Sequence, residues 1–374
     1  MIELADVFRQ FSTDYLDAHG ASMLPSHKRV INDVIQCRTE ALGGHLYGCD
    51  QCDARIYSYH SCKNRNCPKC HTGQTQRWLE KRQSEMLPTP YFHLTVTVPE
   101  SLRDIFRSNQ SDCYNILMKA AGEATIELAR NPKYVGGTVG ILMVLHTWTQ
   151  QLIFHPHVHC LVTGGGISDD GNSWHPAKKE FLVPVKALSR LIRGKALMAL
   201  KNSRPDILWP QDAWKQEWVV HCVHWGEGEQ AVLEYLARYT FRIAINNHRI
   251  LAMDEQTVTF RYKDRKKRRP RQCQLSGEEF MRRFLQHVLP KGFHKIRYFG
   301  LWHPAKRNLA SKIKIHLNLE RTQTEEKRED SDVSGDNSSK SSDKQIEVGA
   351  ICPECHQGRL LLLQTIPRPA TRPP

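Results

Sequence analysis

The stretch HPHVHCLVTGGG, residues 155–166, places three histidines at every second position and then ends in three glycines. Alternate side chains of a β-strand lie on the same face, so the imidazoles of His155, His157 and His159 can approach one metal ion. Pro156 cannot donate a ladder hydrogen bond, and we therefore expect the regular strand to begin at His157. The sequence predicts a metal-binding pair at His157 and His159, although three ordinary polar side chains would give the same pattern.

A third metal ligand is expected from the segment that precedes this strand. His146 lies eleven residues before His157 and would face it across a β-hairpin, with Gln150 and Gln151 as alternative ligands. Three protein ligands leave coordination positions open, which is typical of a catalytic site. Beside a basic groove, the expected task of such a site is to polarise a scissile phosphate.

Two tyrosines, Tyr235 and Tyr239, lie four residues apart in a segment with helical periodicity, which places both phenols on one face. Packing in a core explains this spacing equally well, because Ala231 and Val232 share that face. A phenol is a poor nucleophile at neutral pH unless a cation assists it. Next to an open metal site, we interpret the pair as candidate nucleophiles that attack a phosphate.

Two C-x-x-C pairs, Cys49 with Cys52 and Cys67 with Cys70, are separated by fourteen residues. Their spacing predicts a closed tetrahedral zinc site that stabilises a fold and leaves no position for a substrate. Other ligand types in this region are Cys37, His45, His60, Cys62 and His71. A second zinc ion or a different ligand set, with Cys37 and Cys62 as further candidates, therefore stays open.

A third C-x-x-C pair, Cys352 with Cys355, lies near the C-terminus and is followed by His356. It is half of a zinc site without its partner half. We expect a degenerate or shared site there rather than an independent one.

The charge of the chain indicates a polyanionic partner. Lys and Arg number 53 in 374 residues against 39 Asp and Glu, for a net charge of +14, so nucleic acid is the expected partner. The densest basic run, residues 261–272, would follow phosphates or else form a solvated face. The residues expected to contact DNA are Lys63, Arg65, Arg265, Lys266, Lys267, Arg268 and Arg269.

The N-terminus has no basic start followed by an apolar core, and no apolar run is long enough to span a bilayer. The expected location is therefore the cytoplasm, in association with the nucleoid. Thiols stay reduced there, so the twelve cysteines indicate metal ligands rather than disulfides.

The order of the predicted elements favours an α+β fold with an antiparallel sheet. Helices are expected near residues 1–36, 111–129, 183–202, 229–239 and 277–288, and strands near 91–99, 136–150, 155–166 and 242–264. Four segments follow: a helical, zinc-binding and DNA-contacting domain at 1–85, a catalytic domain at 86–305, a basic and then acidic, serine-rich linker at 306–345, and a short tail at 346–374. The linker is expected to be disordered and the tail loosely attached, because residues 321–344 hold few apolar side chains.

Four stretches in this order carry a resemblance to a known family: SCKNRNCPKC, HTWTQQLIFHPHVHCLVTGGG, YLARYTFRIAINNHRI and FLQHVLPKGFHKIRYFG. The chain resembles the rolling-circle transposases of the IS91 type over most of residues 30–302. The resemblance implies a histidine-hydrophobic-histidine (HUH) endonuclease of ferredoxin-like character that cuts single-stranded DNA at element ends through a 5′ phosphotyrosine. It assigns the metal pair to His157 and His159 and the nucleophiles to Tyr235 and Tyr239.

The resemblance also sets expectations about cofactors and partners. Its motif does not fix a third ligand, so His146 rests on the hairpin argument, and the catalytic metal is expected to be Mg²⁺ or Mn²⁺. The related common-region group has a single tyrosine, whereas this chain has both. No GxxxxGK[ST] phosphate loop occurs, so a host helicase or replication would have to separate the strands of the transposon ends and target.

Two other functions fit parts of the sequence. One is a zinc-ribbon DNA-binding regulator without catalysis, in which the histidines merely pack. The other is a metal-dependent hydrolase that uses the His-x-His site to activate water. Nicking of single-stranded DNA would exclude the regulator, and a covalent protein–DNA adduct would exclude the hydrolase.

Overall fold

The computed structural model of the protein describes residues 1–70, 85–227, 232, 235, 239–240, 242–264, 269–325 and 348–369. The helices in these residues are α1 Leu4–His19, α2 Pro25–Gln36, α3 Arg103–Ser108, α4 Gln110–Arg130, α5 Val185–Ser203, α6 Asp212–Lys215, α7 Gly277–Leu285 and α8 Arg307–Glu325. The strands are β1 Gly44–Cys49, β2 Arg55–Tyr59, β3 Pro90–Thr97, β4 Thr138–Trp148, β5 Phe154–Ile167, β6 Trp174–Pro176, β7 Val219–Glu227, β8 Ile250–Met253, β9 Thr257–Lys263, β10 Pro270–Ser276, β11 Ile296–Gly300 and β12 Leu360–Ile366. Within the described ranges, no helix combines the length and the apolar character needed to cross a membrane.

The central sheet is antiparallel, with the strand order β11-β4-β5-β3-β7, and β6 pairs with the C-terminal end of β5. Four of these strands follow each other along the chain as β3-α4-β4-β5-α5-β7, with β5 and β3 in the middle of the sheet. This connectivity is the ferredoxin-like arrangement. The α+β class predicted from the sequence is confirmed.

The two faces of this sheet bury different sets of side chains. Val158 and Cys160 of β5 point to the face that α4 and α5 cover. Leu161 of β5 belongs to a separate cluster on the other face, together with Tyr235. Because side chains alternate along a strand, the odd-numbered histidines of β5 lie on this second face.

The N-terminal helices pack against a second, three-stranded sheet of order β10-β9-β8 and against α7. Phe8 of α1 meets Phe284 of α7 edge-on, with 5.2 Å between the ring centroids. Both rings are buried, and the burial of each stabilises the folded state by about 1.5–3 kcal/mol. Cys67 and Cys70 belong to the same core, so one set of contacts holds together α1, α2 and the described parts of residues 244–288.

The first part of the segment predicted as a linker is the helix α8, which corrects the predicted start of that linker. Leu309, Ile313 and Leu317 recur every four residues on α8 and pack beside Leu301. The stripe is easily overlooked in the sequence, because basic and polar residues separate its members. The remainder of the predicted linker, from residue 326, lies outside the described residues.

The C-terminal segment is also placed differently from the prediction. The sequence predicts a loosely attached tail, but β12 pairs with β1 in antiparallel register, from Gly44 opposite Ile366 to Cys49 opposite Leu360. With β2 on the other side of β1, the three strands form a small separate sheet. The physical reason is the apolar run at residues 360–363, which is long enough to form a short strand.

Candidate active site and metal centres

The histidine cluster lies on the second face of the central sheet, where β4 and β5 form a hairpin. The antiparallel register places His146 directly opposite His157, and His159 follows on the same face of β5. Their three ligand nitrogens lie within 4.8 Å of one another, close to the span that one coordinated ion allows. The exposed fractions of His146, His157 and His159 are 3%, 7% and 8%, so packing holds all three rings in place.

Hydrogen bonds to carbonyl groups determine the tautomer of two of these histidines. His146 donates from Nε2 to the backbone oxygen of Tyr239 at 2.7 Å, and His157 donates from Nδ1 to the backbone oxygen of His155 at 2.6 Å. A carbonyl oxygen only accepts, so the opposite nitrogens, Nδ1 of His146 and Nε2 of His157, carry lone pairs. Bonds of this kind on the outer nitrogen orient histidines that bind metals.

The electrostatics of the cluster favour neutral imidazoles. Burial is the main reason that the pKa of His146 and the pKa of His159 both lie well below the usual range, and the neighbouring imidazoles of the cluster lower them further. A neutral imidazole is the form that binds a metal ion. The donor set of this cluster, among the residues that the structure describes, is three nitrogens without a carboxylate.

Tyr239 lies directly over the histidine cluster. Its ring centroid is 4.0 Å from that of His159, and its backbone oxygen accepts the bond from His146 described above. Tyr239 and Thr240 form a π-helical turn, a backbone feature that is frequent at functional sites, and the Tyr239 side chain is partly exposed. Most other residues of the predicted helix 229–239 lie outside the described residues.

Tyr235 has a different environment from Tyr239. The ring centroids of the two tyrosines are 5.1 Å apart, but the Tyr235 side chain is 0% exposed. Its hydroxyl donates to the backbone oxygen of His159 at 2.7 Å, and burial raises its pKa well above the usual range. The phenol of Tyr235 is therefore engaged in packing and in a hydrogen bond, as the core interpretation of the tyrosine pair expected.

The cysteines form two separate clusters of four, and in each the four sulfur atoms lie within 4.8 Å of one another. One cluster contains Cys37, Cys62, Cys67 and Cys70, and the other contains Cys49, Cys52, Cys352 and Cys355. The prediction that the first two C-x-x-C pairs share one site is therefore wrong. Of the other ligand types noted in the sequence, His71 lies outside the described residues, and His45 and His60 pack against each other with ring centroids 5.1 Å apart.

The β1–β2 hairpin explains why the two C-x-x-C pairs are apart. Cys49 and Cys52 lie at its turn, whereas Cys62 follows its open end beyond Tyr59. A five-residue strand is about 16 Å long, far more than the diameter of one coordination sphere. Cys37 and Cys62 therefore complete the site of Cys67 and Cys70, and the pair at the turn meets the C-terminal segment.

The chain matches two family models and is similar to proteins that are named as transposases. A model described as "Putative transposase" matches residues 140–310, and one described as "Transposase zinc-binding domain" matches residues 7–98. The chain is 40% identical to "Putative transposase y4qJ" of Sinorhizobium fredii over 317 residues, which are 80% of this chain and 79% of that protein. The chain belongs to the IS91-type transposases. This confirms the family resemblance of the four sequence stretches.

A second relative supports the same family. The transposase is 30% identical to "Transposase for insertion sequence element IS801" of Pseudomonas savastanoi pv. phaseolicola, over 72% of this chain and 68% of that protein. No solved structure matches the transposase.

The zinc-binding family model includes all four residues of the first cysteine cluster. The sulfur of Cys70 lies 3.3 Å from that of Cys37 and 3.5 Å from that of Cys62. Four thiolates around a zinc ion, each about 2.3 Å from it, stand roughly 3.8 Å apart. The geometry therefore fits structural zinc in the N-terminal part of the transposase.

Sequence reasoning missed His93, which lies beside both His159 and Tyr239. Its Nε2 is 3.0 Å from Nδ1 of His159, and its ring stacks on that of Tyr239 with 4.7 Å between centroids. The alternation in FHLTVTV places His93 on one face of a strand, but nothing in the sequence shows that β3 lies beside β5. The strand order is what brings His93 to the site.

Two basic residues near the cluster were also missed. Lys295 and Arg242 both contribute to the lowered pKa of His146, so their charges lie within electrostatic reach of the site. Lys295 donates from Nζ to the backbone oxygen of Arg242 at 3.3 Å, and burial lowers the pKa of Lys295 to about 8. The transposase therefore has positive charge beside its candidate active site.

The other predicted site residues lie elsewhere. The side-chain oxygen of Gln150 accepts from the backbone nitrogen of Lys263 at 2.6 Å, and Gln151 accepts from Arg283 through its backbone oxygen. Arg65 donates to the backbone oxygens of Phe293 at 2.6 Å and Pro290 at 3.3 Å. Its guanidinium therefore ties the zinc-binding region to the loop between α7 and β11.

The described residues of the basic run of the transposase, 261–264 and 269–272, lie at the end of β9 and the start of β10. A backbone hydrogen bond of 3.0 Å joins Asp264 and Arg269, and Arg269 is exposed. Lys63, in the zinc-binding region, is exposed as well. Arg265, Lys266, Lys267 and Arg268 lie outside the described residues.

Proposed function

We propose that this transposase nicks and rejoins single-stranded DNA by a rolling-circle mechanism, in which Tyr239 becomes joined to a 5′ phosphate. The observation that carries the proposal is the position of Tyr239, whose ring lies 4.0 Å from that of His159 and whose backbone oxygen is bonded to His146. A partly exposed phenol beside a cluster of three histidines that can bind a metal ion is the arrangement that a tyrosine nucleophile requires.

His146, His157 and His159 would hold the catalytic ion, and their neutral imidazoles with orienting hydrogen bonds fit that role. A divalent cation bound there would withdraw charge from the scissile phosphate. We propose Mg²⁺ or Mn²⁺, and three nitrogen donors favour Mn²⁺ of the two.

The phenol of Tyr239 would attack phosphorus in line with the 3′ oxygen. A bond forms between the tyrosine oxygen and phosphorus, the bond to the 3′ oxygen breaks, the phenolic proton passes to water, and the leaving oxygen takes up a proton. The phosphotyrosine ester replaces one phosphate ester by another, so a free 3′ hydroxyl can later reverse the reaction and seal the strand.

Tyr235 would act second. Its hydroxyl must first leave the backbone oxygen of His159, to which it donates at 2.7 Å, and its ring must become exposed. While Tyr239 stays esterified to one strand end, Tyr235 could then cleave the other end. This order gives a reason for two tyrosines with unequal surroundings.

Single-stranded DNA at the transposon ends and at the target is the proposed substrate. Arg242 and Lys295 lie beside the histidine cluster, where they can offset phosphate charge, and the exposed Arg269 and Lys63 are further candidate contacts. A host helicase or the replication machinery would supply single strands, since the sequence has no phosphate-binding loop of its own.

His93 is proposed as a positioning residue for His159. Because its Nε2 lies 3.0 Å from Nδ1 of His159, replacement by alanine should leave that ring less well oriented. We expect His93→Ala to weaken Mn²⁺ binding about 10–100-fold in a calorimetric titration, with His93→Gln closer to wild type. His224→Ala, an exposed histidine on β7, is the matched control. Unchanged Mn²⁺ affinity in His93→Ala would contradict this role.

The test of the proposed function is cleavage of an end-labelled single-stranded transposon end. His157→Ala should reduce nicking by about 10³-fold or more, because several kcal/mol of transition-state stabilisation are lost with the ion. EDTA should abolish nicking in the wild type, and Mn²⁺ added together with Zn²⁺ should restore it, because the chelator also removes structural zinc. A regulator would bind the DNA without cutting it, and a hydrolase would cut it without leaving an SDS-stable adduct. Either result would refute the proposal.

A further inference from the structure

We propose that Cys49, Cys52, Cys352 and Cys355 bind a second zinc ion, which fastens the C-terminal segment of the transposase to its N-terminal zinc-binding region. The inference is independent of the proposed tyrosine chemistry. Two of the four residues, Cys352 and Cys355, lie beyond both matched family segments, which end at residues 98 and 310.

The geometry of the four sulfur atoms is that of a tetrahedral site. The sulfur of Cys49 lies 3.7 Å from that of Cys355, and the sulfur of Cys52 lies 3.8 Å from that of Cys352. These distances agree with the roughly 3.8 Å between thiolates that share one zinc ion, and they are far too long for a disulfide, which is about 2.05 Å. Four soft thiolates and no open position favour zinc over a hard cation.

The backbone around both cysteine pairs supports the same conclusion. The amide of Gln51 donates to the sulfur of Cys49 at 3.4 Å, and the amide of Gly358 donates to the sulfur of Cys355 at 3.3 Å. Amide donors of this kind stabilise the negative charge of thiolates. Gly358 is required at its position, because a Cβ there would lie 2.3 Å from the sulfur of Cys49.

The apolar contacts in this region are too few to hold the segment alone. The local core has only three buried members among the described residues, namely Tyr47, Cys352 and Leu360. Small folds of this kind usually need a metal or a disulfide in addition to their core. The polar contacts, such as the hydrogen bond of 2.7 Å that the Arg359 amide donates to the side chain of Asp50, are exposed and add little stability.

The experiment is a zinc count on the full-length protein by mass spectrometry, combined with cobalt substitution. Cobalt bound to thiolates has strong charge-transfer absorption that cobalt bound only to histidines lacks, so the candidate active site does not enter the count. The wild type should hold two thiolate-bound ions per chain. The double variant Cys352→Ser with Cys355→Ser should hold one, and its cobalt absorption should fall to about half.

Three further variants separate ligation from folding. Cys355→His should keep the second ion, because a histidine nitrogen can replace a thiolate, whereas Cys355→Ala should lose it. Cys273→Ser, which changes a cysteine outside both clusters, should keep both ions. In the double serine variant, the amides of β1 that pair with β12 should exchange their hydrogens faster, while those of β4 and β5 should be unaffected. One ion in the wild type, or two in the double serine variant, would overturn the proposal.

Discussion

Replacement of Tyr239 by phenylalanine is expected to abolish the SDS-stable adduct between the transposase and a labelled single-stranded transposon end. The change removes the hydroxyl that forms the ester, so adduct formation should fall by at least about 10³-fold. The phenylalanine ring keeps the stacking on His159 and His93, and DNA affinity should therefore stay within about twofold of wild type. Gel analysis of the adduct and a binding titration measure the two effects separately.

Tyr235→Phe is the matched comparison, since it removes the same atom one helical turn away. We expect it to retain the first adduct, because the Tyr235 hydroxyl donates to the backbone oxygen of His159 in the resting structure and is not the first nucleophile. It should lose complete strand transfer, because the second nucleophile is absent. Loss of that hydrogen bond should lower the free energy of unfolding by about 1 kcal/mol. The variant with both substitutions should form no adduct. An adduct lost in Tyr235→Phe but kept in Tyr239→Phe would reverse the proposed order of the two residues.

The second large effect concerns structural zinc. Cys67→Ser should release the zinc of the first cysteine cluster and unfold the core formed by α1, α2 and the β8–β10 sheet, to which Cys67 belongs with 1% of its surface exposed. Zinc binding contributes on the order of 10–16 kcal/mol in small zinc-dependent domains, which is comparable to the roughly 5–15 kcal/mol that stabilises a whole protein. Zinc content and thermal unfolding, followed by circular dichroism, measure this loss.

Cys273→Ser serves as the control for Cys67→Ser, because Cys273 packs against the same core without belonging to a cysteine cluster. It should change the free energy of unfolding by only about 1 kcal/mol. His157→Ala should keep the structural zinc, since His157 belongs to a different cluster. Equal zinc content in Cys67→Ser and the wild type would show that this cluster does not hold the ion.

The histidine hairpin illustrates what short-range sequence patterns can predict. Strand residues alternate with a period of two, so the face shared by His157 and His159 follows from their spacing alone. The turn between β4 and β5 is short, and the separation of eleven residues from His146 to His157 therefore suffices to place the two side chains opposite each other. Local geometry decides all of these relations.

Contacts between distant segments could not be predicted in the same way. His93 reaches the site only because β3 inserts between β5 and β7, and Lys295 only because the β11 strand is added beside β4. Both are single residues in ordinary strand or loop sequence, without a spacing that marks them. Strand order depends on the packing of the whole domain, which a local pattern does not contain.

The cysteine clusters depend both on local sequence patterns and on contacts between distant segments. Each C-x-x-C turn is local, and its spacing predicts a pair of zinc ligands. The other two ligands of an ion need only be close in space, whatever their positions in the sequence. Cys37 and Cys62 are near enough only because α2 and β2 end at the same place, and Cys352 comes from the far end of the chain. Spacing alone favoured the wrong combination of pairs.

The pairing of β12 with β1 determines the order in which the protein can be completed during translation. Cys49 and Cys355 are 306 positions apart, so a ribosome that adds about 5–20 residues per second needs roughly 15–60 s between them. The histidines and both tyrosines emerge well before β12. A chain released early would carry every residue of the candidate active site and yet leave one edge of β1 without its partner, an edge prone to pair with other chains. The N-terminal three-stranded sheet is thus completed only after the candidate active site has been synthesised.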